Sequence, residues 1–159
     1  MTNLLTRVAW ETRIALHQQT KNPQDRDAAA RLIEADAREL VDYLLFADEA
    51  PLPGKFESTS GFPAKFAESG PRDSRGRSLR ELDLAKRLMR YSCSYMIYSR
   101  AFEELPGGAK DAVYALLWEI LSGRNKAAKY AKLSPADRAA IAGILLETKQ
   151  GLPPYFKPL

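Results

Sequence analysis

Four arginines lie close to Ser78 in a short segment near the middle of the chain, at Arg72, Arg75, Arg77 and Arg80. Glu81 follows Ser78 at the spacing of a capping box, which predicts that a helix begins at Ser78. A helix N-terminus offers free amide hydrogens and a positive dipole end, and guanidinium groups suit oxyanions. The segment therefore predicts a site for phosphate, sulfate or carboxylate. The alternative is a solvated basic loop whose arginines pair with acidic residues of the first half of the chain.

Cys93 is the only cysteine and His17 the only histidine. These counts exclude a disulfide within one chain, and they exclude the zinc and haem-attachment motifs that need several such residues. Cys93 and His17 have the residue types of a nucleophile and its base. A lone cysteine on an apolar helix face is more typical of a small buried hydrophobe, however. We therefore expect no catalytic residue, no metal site and no cofactor.

The charge is unevenly divided along the chain. Residues 1–70 contain 8 Lys or Arg and 11 Asp or Glu, which gives −3, whereas residues 71–159 contain 16 and 9, which gives +7. A basic second half favours an anionic partner, and nucleic acid is one alternative. No recognition motif accompanies the basic residues, and a net charge of +4 is modest for a domain that neutralises several phosphates. Nucleic acid therefore ranks below protein as a partner.

Apolar residues recur at helical spacing through most of the sequence, and 159 residues suffice for one domain with its own core. The first predicted helix covers residues 3–18, the second begins at Pro23 and ends before Pro51, the third begins at Ser78 and ends before Pro106, the fourth ends at Gly123, and the fifth begins at Pro135. The pattern predicts a single all-α domain over residues 1–159. We expect about five helices in an irregular bundle, with a long Gly/Pro-rich loop between the second and the third.

The third predicted helix has the longest apolar stripe. Its members share helical spacing and are Leu84, Leu88, Tyr91, Tyr95, Tyr98 and Phe102. A strand over residues 91–95 is the alternative, because Tyr91, Cys93 and Tyr95 also alternate and serine is a poor helix former. We favour the helix, with a kink near Ser92.

The loop over residues 51–77 and the C-terminal tail contain aromatic residues in otherwise polar or Pro-rich surroundings. A short helix from Pro63 to Ser69 fits the loop sequence. Long loops in compact domains tend to be functional, and aromatic rings in them are most easily explained as anchors onto another surface. The predicted partner-docking residues are Phe56, Phe62, Phe66, Tyr155 and Phe156.

Three short patterns stand out in the second half: Arg90–Ser99, Leu133-Ser134 with Asp137-Arg138, and Thr148-Lys149 with Gly151-Leu152-Pro153. They resemble the C-terminal region of a group of bacterial proteins of unknown function, most clearly over residues 78–159. The pattern of those proteins has proline where this chain has Ser92. The resemblance implies that the chain corresponds to the C-terminal part of a longer protein, and no functional residue carries over from it.

No catalytic signature and no apolar run long enough to cross a membrane occur in the sequence. The leading hypothesis is a non-catalytic helical module that packs against a protein partner, against a second copy of itself or against a preceding region of a longer protein. The alternatives are an anion-binding or enzymatic domain that uses the arginine segment, and a nucleic-acid-binding domain. The compartment depends on whether the chain is complete. We expect a cytoplasmic protein if it is, and an exported one if the chain belongs to a longer protein that carries a signal.

Overall fold

The computed structural model describes the backbone of all 159 residues and every side chain except that of Pro23. The described chain contains six α-helices: α1 (Thr2–Lys21), α2 (Arg26–Leu44), α3 (Phe62–Glu68), α4 (Arg100–Glu103), α5 (Gly107–Leu121) and α6 (Pro135–Thr148). Turns of 3₁₀ helix lie at Pro23–Asp25, Tyr95–Tyr98 and Ala128–Tyr130. The prediction of an irregular all-α bundle is confirmed.

Helices α1 and α2 form an antiparallel hairpin, and α2 also packs against α5. Charged residues at helical spacing predict an outer face for α2 at Asp27, Arg31, Glu34 and Arg38, and this is confirmed, since all four are exposed. The apolar spacing predicts an inner face at Ala28, Leu32, Ala35, Leu40, Val41, Leu44 and Leu45. This prediction is wrong in its first half, where Leu32 is 40% exposed and Ala29 is buried instead. Alanine and a buried aspartate, Asp36, fill the contact with α1. Large apolar residues do not mark the first half of that face in the sequence.

The contact between α1 and α2 buries polar groups as well as apolar ones. Asp36 is 4% exposed and Thr12 is fully buried, and each has one oxygen without a hydrogen-bond partner among the described residues. Arg7 is the nearest cation, 3.9 Å from Asp36 Oδ1, but it bonds Glu39 at 2.6 Å and also lies 3.6 Å from Glu11. Burial and the neighbouring carboxylates raise the pKa of Asp36 to about 6.

Helix α2 ends before the prolines predicted to stop it. The N–H of Ala47 donates to the carbonyl of Asp42 at 3.0 Å, and the N–H of Phe46 donates to Tyr43 at 3.4 Å. These bonds form a Schellman motif, in which the residue after the cap adopts a left-handed conformation. Phe46 has φ 51° there, at a position where glycine is the usual residue. Because no glycine marks this end, the sequence points to Pro51 instead.

The long third helix predicted from Ser78 is wrong. Glu81 does accept the N–H of Ser78 at 2.9 Å, as in a capping box. The chain then reverses direction at Leu84, whose φ is 58°, so that Leu82 forms an isolated antiparallel bridge with Met89. The strand alternative over residues 91–95 does not form in the described chain either. Between Ser78 and the start of α5, the described helical elements are α4 and the 3₁₀ turn that precedes it.

Helices α5 and α6 complete the core as predicted. Gly123, with φ 75°, follows the C-cap of α5, and Ser134 with Asp137 forms a full capping box at the start of α6. The apolar spacing predicts seven inward residues in these two helices, and all seven are buried: Val113, Leu117, Ile120, Leu121, Ile141, Ile144 and Leu145. The tail lies against this core, because Phe156 is 5% exposed and its ring centroid lies 5.0 Å from that of Trp118.

Candidate functional site

The arginine segment is built around a buried carboxylate. The side chain of Asp73 accepts the N–H groups of Arg75 and Arg77 at 3.0 and 2.8 Å, and Nε of Arg77 at 2.6 Å. Burial opposes ionisation of Asp73, but these three donors hold its pKa below the ordinary value. Arg77 therefore neutralises a buried charge within the chain.

The same segment is fastened to α6. Glu147 accepts both the N–H and the hydroxyl of Ser74, at 2.6 and 3.0 Å. The guanidinium of Arg77 lies directly over Gly143, where a Cβ would come within 2.9 Å of Nη2. A glycine inside a predicted helix indicates close contact with a neighbouring helix, but the group that approaches Gly143 is this guanidinium.

The other residues of the predicted anion site differ in how much hydrogen-bonding capacity they keep. Arg72 donates to the carbonyl of Gly76 at 2.5 Å and lies 3.6 Å from Glu81, and Ser78 is fully buried. Arg75 is exposed. Of the four arginines in this segment, Arg75 and Arg80 have no carboxylate partner among the described side chains. The predicted site thus does not assemble around a helix start, and its arginines contact different groups.

Arg80 packs against two aromatic rings. Its guanidinium carbon is 4.6 Å from the centroid of Tyr95 and 5.2 Å from that of Phe66. Phe66 meets Tyr95 edge to face at 5.2 Å and stacks on Phe62 at 5.5 Å. We call Phe62, Phe66, Arg80 and Tyr95 the aromatic–arginine cluster. It joins one residue of the predicted anion site to two of the predicted docking residues.

The donors of Arg80 are only partly used. Nη1 donates to the hydroxyl of Ser69 at 2.9 Å, whereas Nε is buried without a hydrogen-bond partner among the described residues. The side chain runs across Gly70, where a Cβ would come within 2.7 Å of Cδ of Arg80. The rings, Ser69 and Gly70 therefore fix the position of a guanidinium whose charge no carboxylate in the described chain neutralises. Such a group is suited to bind a carboxylate or phosphate of another molecule.

The remaining docking residues separate into two classes. Phe62 is 56% exposed and Phe56 is 52% exposed, although the backbone of Phe56 is held by a 2.8 Å hydrogen bond to the carbonyl of Leu84. Tyr155 is 40% exposed. Phe156, by contrast, is buried against Trp118 and is an anchor for the tail of this chain.

Cys93 and His17 do not form a reactive pair. Cys93 is fully buried, and burial raises the pKa of its thiol to about 12, so the thiol stays protonated near neutral pH. His17 is exposed on α1. Within the described residues no group of three or more acidic, histidine or cysteine side chains is arranged to hold a metal ion, and no helix has both the length and the apolarity to cross a membrane.

A cleft that the sequence analysis missed lies beside the end of α2. It has a volume of about 520 Å³, and its polar lining includes Glu49, Asp83, Lys86 and Lys132. The lining residues come from three distant parts of the sequence, and the left-handed turn at Phe46 places one wall. No local motif marks such an assembly.

Comparisons of the chain with models of protein families, with curated proteins and with solved structures find no match.

Proposed function

We propose that the protein is a non-catalytic interaction module whose aromatic–arginine cluster binds an acidic, partly apolar segment of a protein partner. The observation that supports this most directly is Arg80, which is held at 4.6 Å over Tyr95 and at 5.2 Å over Phe66 without a carboxylate partner in the described chain. Beside it, Phe62 offers an aromatic face that is more than half exposed. An apolar side chain on Phe62 and a carboxylate on Arg80 would together complete the surface.

Charge favours a protein over a nucleic acid at this surface. The loop over residues 51–69 contains Lys55, Lys65, Glu57 and Glu68, so its formal charge is zero. Lys55 is further paired with Glu57 at 3.2 Å. A nucleic-acid surface gains its affinity by neutralising several phosphates, whereas this cluster offers one fixed guanidinium among aromatic rings. That combination is typical of protein interfaces, in which aromatic residues and arginine are enriched.

The proposal is tested by photo-crosslinking in cells of the source organism, with p-benzoylphenylalanine at position 62. The matched control has the same probe at position 43, because Tyr43 is equally exposed, at 56%, but lies on α2. We expect position 62 alone to yield a protein adduct. The purified partner should then bind the unmodified chain, and Phe62→Ala should weaken that affinity by about tenfold or more.

Three results would refute this proposal. The first is the absence of a position-specific adduct, and the second is an adduct that contains nucleic acid. The third is an adduct whose mass equals two copies of this chain, which would replace the proposed partner by self-association.

A further inference from the structure

We propose that the cleft beside the end of α2 binds a small zwitterion of the amino-acid class. The charged groups that line the cleft, its apolar wall and its size all fit such a ligand. None of these residues belongs to the aromatic–arginine cluster, so the inference is independent of the function proposed above.

Two of the four cationic side chains in the cleft are already neutralised. Arg87 donates to Asp137 at 3.0 Å and to the hydroxyl of Ser92 at 2.5 Å. Lys129 bonds Asp42 at 2.5 Å. Each pair is neutral and leaves no net charge for a ligand.

The other two cations keep their charge. Lys132 has only a 3.5 Å contact with the carbonyl of Glu49. Lys86 has neither an ion pair nor a hydrogen bond from its ammonium group within the described chain. Both ammonium groups are therefore available to a carboxylate that enters the cleft.

Two carboxylates in the same lining are also incompletely satisfied. Glu49 accepts the N–H of Leu88 at 3.1 Å through Oε1, and Asp83 accepts the N–H of Ala85 at 3.2 Å through Oδ1. Neither forms an ion pair with Lys86 or Lys132 in the described structure. Each carboxylate has a second oxygen that can accept a hydrogen bond from an ammonium group of a ligand.

The free charges thus sum to zero, with two cations and two carboxylates that do not pair with each other. A purely anionic ligand would be repelled by Glu49 and Asp83, and a purely cationic ligand by the two lysines. A ligand that carries both an ammonium and a carboxylate satisfies both sets, which is the charge complementarity that selects a zwitterion.

The rest of the lining fits the carbon skeleton of such a ligand. Leu45, Ala47 and Leu133 are buried and supply an apolar wall. The volume of about 520 Å³ lies in the range of small-molecule sites. Phe46, whose left-handed φ of 51° belongs to the Schellman motif that ends α2, also lines the cleft.

The test is a titration of the isotope-labelled full chain, followed by amide chemical shifts. The first probes are mixtures of free amino acids, and leucine, N-acetyl-leucine and leucinamide then compare the zwitterion with derivatives that lack one charge. We expect shifts at Phe46, Ala47 and Ala50 with at least one free amino acid. Acetylation or amidation of that amino acid should each weaken binding by about tenfold.

A double variant, Lys86→Gln with Lys132→Gln, should weaken binding by at least the same factor. The matched control is Lys126→Gln with Lys157→Gln, which makes the same charge change at exposed lysines outside the cleft and should leave the affinity unchanged. The proposal is overturned if no free amino acid shifts the cleft amides, if both double variants bind alike, or if the derivatives with one charge bind as well as the zwitterion.

Discussion

Replacement of Asp36 by asparagine should stabilise the protein at neutral and higher pH. The carboxylate is 4% exposed, has one oxygen without a partner, and shares Arg7 with two other carboxylates. Burial is the main reason that the pKa of Asp36 rises from 3.8 to about 6. A rise of that size corresponds to about 3 kcal/mol of difference between the protonated and ionised forms in the folded state.

The sign of the pH dependence follows from which state binds the proton more tightly. The folded state does so, because its pKa is the higher one. The stabilisation that protonation of Asp36 provides is complete below about pH 4 and is lost as the pH rises through about 6. Asp36→Asn imitates the protonated form, so its free energy of unfolding should exceed that of the wild type by about 2 to 3 kcal/mol at pH 8 and by little at pH 4.

Urea unfolding at pH 4 and pH 8, followed by tryptophan fluorescence, measures this difference. Glu34→Gln is the matched control, because Glu34 lies on the exposed face of the same helix and its neutralisation should change little at either pH. A variant that is less stable than the wild type at pH 8, or a gain that does not depend on pH, would refute the reasoning.

Three further predictions concern single side chains. Arg77→Ala should cost about 3 to 5 kcal/mol, because it leaves buried Asp73 without its cation, while Arg75→Ala should cost less than about 0.5 kcal/mol; chemical denaturation of both variants distinguishes them. Phe46→Gly should be more stable than Phe46→Ala by about 1 kcal/mol, since φ is 51° at this position, and equal stabilities would contradict the left-handed turn. Cys93 should react with a thiol reagent only after unfolding, and fast labelling of the native protein at pH 8 would show that the thiol is accessible.

Elements with complete local signals were predictable from sequence. Ser134, the following proline and Asp137 satisfy each other within one turn, so the start of α6 depends on nothing distant. Gly123 ends α5 for the same local reason. Hydrophobic spacing placed the buried faces of these two helices correctly, because both are packed by large apolar side chains.

Ser78 shows where local signals fail. Its bond with Glu81 forms as the pattern requires. Glu81 also pairs with Arg90 at 3.0 Å, and its carbonyl accepts the N–H of Arg90 at 2.8 Å. These contacts hold the chain in a reversal rather than a helix, and they join residues that the sequence does not show to be close. Tertiary contacts here override the capping signal.

The candidate sites were predictable only in part. Sequence composition identified Arg80, Phe62 and Phe66 as residues that could bind another molecule, but as two separate hypotheses. Their common location depends on how the segment after α3 turns back, which no spacing reveals. The cleft beside α2 requires the left-handed Phe46, where the usual glycine signal is absent.

The most direct test of the central claim is the affinity of the crosslinked partner for Arg80→Gln compared with Arg75→Gln. Both variants remove one arginine that has no carboxylate partner in the described chain, but only Arg80 packs against two aromatic rings. We expect Arg80→Gln to raise the dissociation constant by about tenfold or more and Arg75→Gln to change it by less than about twofold. Equal effects of the two variants would show that general charge, and not the aromatic–arginine cluster, determines binding.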